Sequence, residues 1–341
     1  MKVVTFGEIM LRLSPPGFER LLQSPALHAS FGGGEANVAV SLAHFGIESH
    51  YVTRVPDNAV GRAALRALRA EGVHVGDVLL GGPRLGIYFA ETGASQRAST
   101  VVYDRAGSSV AEIDPDSVDW ERVLTGTRWL HATGITPALG PGPAAWTERA
   151  LKAARDLKVT VSLDLNYRSK LWTEQAAQAT LQPLAQLADV LIANEEDLKA
   201  SLGADLGGTD LSRGALDVAA YQGAAREIAR QYGLRQVAVT LRESLSASEN
   251  GWSALLFDAA QDRLVRSRRH LVRLVDRIGA GDSFAAGLIY ASLKGKPLED
   301  ALELAVAASA LKQTIPGDFN RVPIDEVERL ARGDASGRVR R

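Results

Sequence analysis

A doubly wound α/β fold built on a mostly parallel sheet is what this 341-residue sequence predicts. Two observations carry that expectation. Short apolar runs alternate with helical apolar patterns along most of the chain, and two glycine clusters each stand at the mouth of a helix. A third observation adds to it: two segments hold strand-like runs with no helix between them, which implies a small second sheet.

Taken in order, core strands are expected at Val3–Glu8, Ser49–Arg54, Arg128–Thr133, Val159–Asp164, Val190–Ala193 and Gln236–Thr240. Each is a short apolar run. Helices between them include Asn58–Glu71, Pro143–Asp156 and Gly223–Tyr232, and the apolar residues of Val38–Ala43 suit a buried helix. The alternation breaks in Leu11–Phe31 and in Leu85–Tyr103, where Leu85–Ala90 and Ser99–Tyr103 read as strands of the separate sheet. From pattern alone that sheet is either a unit set apart or an edge meander packed on the domain. Gly203–Gly214, rich in Gly, Asp and Ser, reads as a flexible surface insertion. Gly333–Arg341 ends in a basic run and reads as a frayed tail. No repeat and no composition shift divides the chain, so residues 1–330 are expected to form one domain followed by a tail at 331–341.

Composition narrows the chemistry. An apolar fraction of 46% is enough for a real core, which excludes general disorder. A net charge of −1 argues against nucleic acid or an anionic membrane as the main partner. With no cysteine there is no disulfide, thiolate nucleophile or Cys-based zinc site, which fits a reducing cytoplasm. The N-terminus becomes charged too soon for a secretory signal, and no stretch approaches the apolar length of a membrane span. The histidines lack metal-ligand spacing, and neither GxxxxGK[ST] nor GxGxxG occurs, so neither P-loop nor dinucleotide chemistry is expected.

The chemistry sits in Asp276-Arg277-Ile278-Gly279-Ala280-Gly281-Asp282, followed by the helical Ser283–Gly287. Glycines let backbone approach a ligand, and the N–H groups of a first helical turn form an anion site. Asp282 is open to two readings: a helix cap, or a base that takes a proton from an alcohol while the anion is a phosphoryl group in transfer. The second cluster, Phe31-Gly32-Gly33-Gly34-Glu35-Ala36-Asn37, favours the latter. Arg277 reads either as a second positive group at the site or as a solvated strand-end residue, the latter being favoured.

Together the two clusters resemble the paired signatures of the ribokinase-like (PfkB) carbohydrate kinases, over roughly residues 1–330. The resemblance implies ATP and magnesium as co-substrate and cofactor, and Asp282 as general base. It makes the amides of Gly279, Ala280, Gly281 and Asp282 a cradle for the migrating phosphoryl oxygens. It makes the small sheet (segments about 11–31 and 85–105) a lid over the sugar and often a dimer surface. Asn194-Glu195-Glu196-Asp197 resembles the family's NxxE motif, with Asp in the last place, so Glu196 and Asp197 are expected to orient magnesium through water. Read without the resemblance, the same run is a capping Asn with acids favoured by the helix dipole. The nucleotide is expected along Asn166, Arg168, Asn194, Thr240 and Arg242, with Leu302–Lys312 flanking the adenine; Arg242-Glu243 replaces the glycine-rich turn of many relatives.

Arg168 and Arg105 are expected to converge on one substrate, and arginine suits a carboxylate. With Gly34, Tyr88, Tyr103 and Asp318, this pattern resembles kinases of 2-keto-3-deoxygluconate within the same family. A fructokinase- or ribokinase-type activity is the alternative. A non-catalytic binding protein of this fold would have lost the acid that Asp282 supplies.

Overall fold

The structure, a computed structural model, describes residues 1–204 and 218–337. Residues 205–214 of the expected insertion, and the basic run Arg338–Arg341, lie outside the described residues. The chain opens with β1 (Lys2–Phe6), β2 (Met10–Ser14), β3 (His28–Gly32), α1 (Gly34–His44), β4 (Glu48–Val52), β5 (Arg54–Val55) and α2 (Ala59–Ala70). Short β6 (Leu79–Leu80) leads to β7 (Gly86–Glu91) and β8 (Thr100–Asp104). Then come α3 (Trp120–Leu124), β9 (Thr127–Thr133), α4 (Pro141–Asp156), β10 (Thr160–Asp164), α5 (Glu174–Ala185), β11 (Val190–Asn194) and α6 (Glu195–Leu202). The last third holds α7 (Val218–Tyr232), β12 (Gln236–Ser244), β13 (Glu249–Asp258), β14 (Arg263–Arg266), β15 (His270–Arg273), α8 (Ala280–Leu293), α9 (Leu298–Lys312) and α10 (Ile324–Ala331).

The main sheet has nine strands in the order β14-β13-β12-β11-β10-β9-β1-β4, with β15 also pairing with β13. The six strands from β12 to β4 run parallel, as expected. The antiparallel extension β13–β15 was not foreseen; β13 is buried on both faces and lacks the alternation that marks a strand. Helices α3 to α7 cover one face, where Phe6 meets Trp120 and Trp146 edge-on with ring centroids 5.0 Å apart in each pair. Helices α1, α8, α9 and α10 cover the other. α8 is buried nearly all round, which fits its almost uniformly apolar sequence.

The small sheet is separate, with strand order β3-β2-β7-β8. It grows out of the C-terminal end of β1 and leads straight into α1. Because β1 lies between β4 and β9, the chain winds outward from it in both directions. That places a switch point at β1/β9, where open α/β sheets form a crevice at the carboxyl ends of their strands. Among the described residues no helix is long and apolar enough to cross a membrane.

Candidate active site

The crevice is a cleft of about 390 Å³ lined by the carboxyl ends of β10, β11 and β12, the first turns of α1 and α8, and the small sheet. Its size suits a small organic ligand. Every site residue anticipated from the sequence lies on its wall: Gly34 at the start of α1, Tyr88, Tyr103 and Arg105 from the small sheet, Asn166 and Arg168 after β10, Asn194, Glu196 and Asp197 around the start of α6, Thr240 and Arg242 on β12, and Gly279 to Asp282 and Asp318.

Asp282 is the third residue of α8, preceded by the N-cap Gly279 at φ +85°. That left-handed turn suits glycine, and a Cβ there would stand 2.2 Å from the Asp318 carbonyl oxygen. The first-turn N–H groups of Gly281 and Asp282 have no intrahelical acceptor, so they are available to an anion. Asn37 Nδ2 donates to Asp282 Oδ2 at 2.7 Å, which fixes the carboxyl group across the cleft. A methyl group on Gly34 would lie 3.7 Å from Asp282 Oδ1, so the absence of a side chain there leaves room for a ligand against that oxygen. Burial pushes the Asp282 carboxyl up to about 7; the Asn37 bond opposes the shift and the Asp318 carboxylate reinforces it. A carboxyl poised near neutrality in a cleft suits proton transfer.

Glu35 locks the start of α1 to the main sheet. Its Oε1 accepts from Thr133 N at 3.1 Å and from the hydroxyls of Thr133 and Thr136, each at 2.8 Å. Burial raises its pKa, with those hydrogen bonds opposing.

A second buried network joins the small sheet to the cleft. Arg12 on β2 donates to Asp276 Oδ2 at 2.6 Å and to Asp318 Oδ1 at 2.7 Å, and the Tyr88 hydroxyl donates to the same Asp318 oxygen at 2.6 Å. Burial works against the Arg12 charge, but the Asp318 and Asp276 carboxylates outweigh it and hold its pKa raised. The Tyr88 hydroxyl and one Asp318 oxygen are therefore already engaged within the protein.

The two arginines differ. Arg105 is buried and held by Glu8, with Nε 2.8 Å from Glu8 Oε2 and its Nη2 on the same oxygen, and its guanidinium lies 5.5 Å from the Tyr103 ring centroid. Arg168 is exposed to the cleft, and among the described residues it donates only to its neighbour's carbonyl, Tyr167 O, at 3.0 Å. The convergence expected from sequence is therefore one of position; the charge of Arg105 is matched by Glu8.

At the start of α6, Asn194 Oδ1 accepts from Asp197 N at 2.8 Å while Asp197 Oδ2 accepts from Asn194 N at 3.2 Å, a reciprocal capping box. Asp197 Oδ1 also accepts from Tyr167 N at 3.0 Å. Burial pushes Asp197 up to about 6. Glu196 is exposed at the rim. Thr240 Oγ1 contacts Ala193 O at 3.4 Å, and Arg242 projects from β12 into the cleft.

Two placements depart from the expectations, and two further site residues carry no expected role. Arg277 is half-buried on the cleft wall, its Nε has no partner among the described residues, and burial followed by the nearby Arg242 lowers its pKa. It is no solvated strand end: β15 stops at Arg273, and the turn into α8 carries Arg277 inward. Leu302–Lys312 is packed against α8 within the apolar layer, and only the following Gln313 reaches the cleft. Asp164, expected only as the last residue of a core strand, is a site residue as well. It is buried on the cleft wall, and its pKa is driven well up by burial and then by the Asp197 and Asp282 carboxylates. The available signal was an acid closing a buried parallel strand. Asn37, the last residue of the glycine cluster at the start of α1, carries no role in the sequence reading, yet it is the residue that holds Asp282.

Residues 1–324 match the family described as pfkB family carbohydrate kinase. The chain is 49% identical to the crystal structure of 2-dehydro-3-deoxygluconokinase from Thermotoga maritima, covering 98% of this chain and 100% of that one with a TM-score of 0.93. It is 33% identical to the 2-dehydro-3-deoxygalactonokinase of Haloferax volcanii, over 98% of each chain. It is 27% identical to the 2-dehydro-3-deoxygluconokinase of Bacillus subtilis, over 96% of this chain and 94% of that one.

Proposed function

Because the chain belongs to the pfkB family of carbohydrate kinases, we propose that it transfers the γ-phosphoryl group of ATP to the 6-hydroxyl of 2-keto-3-deoxygluconate. The observation that carries this reading is the position of Asp282. Its carboxyl group faces the side-chain-free Gly34 while its own helix offers free amides beside it. As the sugar oxygen bonds to phosphorus and the bond to the leaving ADP oxygen breaks, the hydroxyl proton passes to the Asp282 carboxylate. In a loose phosphoryl-transfer transition state that proton leaves late, so a modest base suffices. The amides from Gly279 to Asp282 hold the charge on the equatorial oxygens. Closure of the small sheet over the sugar excludes water that would otherwise take the phosphoryl group.

Magnesium fits the acids present. Asp164, Glu196 and Asp197 are hard oxygen donors, and among the described residues no three acids, histidines or cysteines gather tightly enough to cage an ion alone. An ion that keeps several waters suits such a set. When bound with ATP it neutralises charge on the phosphates. Arg242 and Arg277, both on the cleft wall, are placed to meet the polyphosphate, alongside Asn194 and Thr240; Asn166 and Arg168 border the same space.

Arg168 carries the selectivity for an acid. Among the cleft arginines described here it is the one on the sugar side whose guanidinium has no carboxylate partner. Arg168→Ala is expected to lower kcat/KM for 2-keto-3-deoxygluconate by about tenfold or more, the scale of one charge-assisted bond, and to leave a neutral sugar nearly unaffected. Steady-state kinetics with the keto-deoxy acid, its galactonate epimer, fructose and ribose checks this. Equal losses on acid and neutral sugar would remove the carboxylate from this position.

The assembly is expected to be a dimer through the small sheet, where Val102 on β8 is 46% exposed and Phe18 and Leu22, in the β2–β3 connection, are more so. Light scattering at micromolar concentration is expected to give twice the chain mass, and a monomer would refute it. The proposed setting is the cytoplasm, where a chain without cysteine meets no redox demand.

A further inference from the structure

Lys312 ends α9 and is completely buried, at 0% exposure. A lysine in that situation normally stands opposite a carboxylate. Here its Nζ donates instead to three backbone carbonyls: Gly317 O at 2.6 Å, Asp276 O at 3.2 Å and Ile315 O at 3.4 Å. Those carbonyls belong to two loops. One, Asp276–Gly279, is the turn that presents the first amides of α8; the other, Ile315–Asp318, carries the carbonyl against which Gly279 is packed. A Cβ on Gly279 would lie 3.2 Å from Lys312 Cε, so the side chain passes directly behind the turn. The carboxylate of Asp276 faces the other way, accepting from Ile278 N at 3.1 Å, Gly317 N at 3.1 Å and Arg12. Burial lowers the Lys312 pKa, and the Asp276 and Asp318 carboxylates oppose that loss of charge.

We propose that Lys312 is a positioning residue for phosphoryl transfer: its ammonium is an internal cation that ties the Asp276–Gly279 turn to the Ile315–Asp318 loop and so sets where the amide cradle points. The inference rests on the reading of Gly279–Asp282 as the phosphoryl site. An apolar core side chain would fill the same space without holding three carbonyls in register. Three carbonyl oxygens converging on one nitrogen form a cage that calls for three N–H donors, which an ammonium supplies and a neutral amine does not. Misplacement of a catalytic group by about 1 Å can lower turnover about a hundredfold, so the effect belongs in kcat.

The test compares Lys312→Met, which keeps the stem and loses the charge, with Lys312→Ala, which empties the cage, each measured with ATP and 2-keto-3-deoxygluconate. Lys312→Met is expected to lose about a hundredfold in kcat with KM for the sugar acid within about threefold. Lys312→Ala is expected to show the same loss and to recover at least about tenfold, saturably, on addition of propylammonium, whereas tetramethylammonium at equal ionic strength restores nothing. Unchanged kcat in Lys312→Met, or a loss in Lys312→Ala that no small ammonium ion repairs, overturns the proposal. If both variants fail to fold alone, refolding Lys312→Ala in propylammonium decides: recovered turnover supports the cage, and none refutes it. Asp282→Asn assayed in parallel separates the two readings. If Asp282→Asn is inactive while Lys312→Met is normal, only the role of Lys312 falls; if Asp282→Asn is active, the phosphoryl site itself is wrong.

Discussion

Asp282→Asn is expected to lose about two to four orders of magnitude in kcat while keeping its fold and its affinity for ATP. The amide of Asn is nearly isosteric, so the hydrogen bond from Asn37 would have to reorganise but the cleft would keep its shape. What disappears is the acceptor for the hydroxyl proton. Wild-type kcat/KM is expected to rise with pH through an apparent pKa near 7, the value to which burial raises this carboxyl, because the base works only when deprotonated. The coupling to stability has the opposite sign. A carboxyl whose folded pKa exceeds its unfolded one stabilises the fold at low pH, and that contribution fades as pH rises through about 7. The Asn variant should therefore melt at a higher temperature than wild type above neutral pH. Near-normal turnover in Asp282→Asn, measured by coupled ADP release, would remove the base assignment.

Gly279→Ala is expected to have the second largest effect. Its φ of +85° strains any side chain, and the added methyl would stand 2.2 Å from the Asp318 carbonyl oxygen, a contact that backbone movement alone can relieve. Left-handed strain is worth about 1–3 kcal/mol, so a lower melting temperature is expected. Moving the turn also moves the amides, and losing one such donor lowers turnover about a hundred- to a thousandfold. Gly281→Ala is the control for the structural part, because a methyl there meets no described atom outside its own helical turn within 4 Å and should not lower the melting temperature. A Gly279→Ala protein with wild-type kcat would show that the cradle tolerates displacement.

Much of the fold and cleft was legible because both depend on local signals. Apolar runs such as Val190–Ala193, too short for a helix, read as buried strands, and Gly279-Ala280-Gly281 reads as a place where a backbone must bend or approach something. The cap at Asn194 and Asp197 was also readable, since a capping box lies within four residues. What escaped depends on partners far away in sequence. That Arg105 is neutralised by Glu8 requires knowing that the residue after β8 meets the β1–β2 connection. Arg277 looked solvated because nothing nearby shows that the turn after β15 points inward. Lys312 looked like part of a helix beside the nucleotide; its burial appears only when Gly317 and Asp276 fold around it. The antiparallel strands after β12 were hidden because burial on both faces erases alternation.

The cleft is drawn from residues far apart in the chain: Asn37 holds Asp282 across 245 positions, and Arg12 reaches Asp318 across 306. During translation the ribosome must therefore release the chain beyond Asp282 and Asp318 before this site can assemble. Contacts of such separation carry a large loop-closure penalty, so the last event of maturation is expected to be the docking of the late helices onto the early strand. Prematurely terminated products, lacking Asp282 and everything after it, are left without the group that would let them consume ATP.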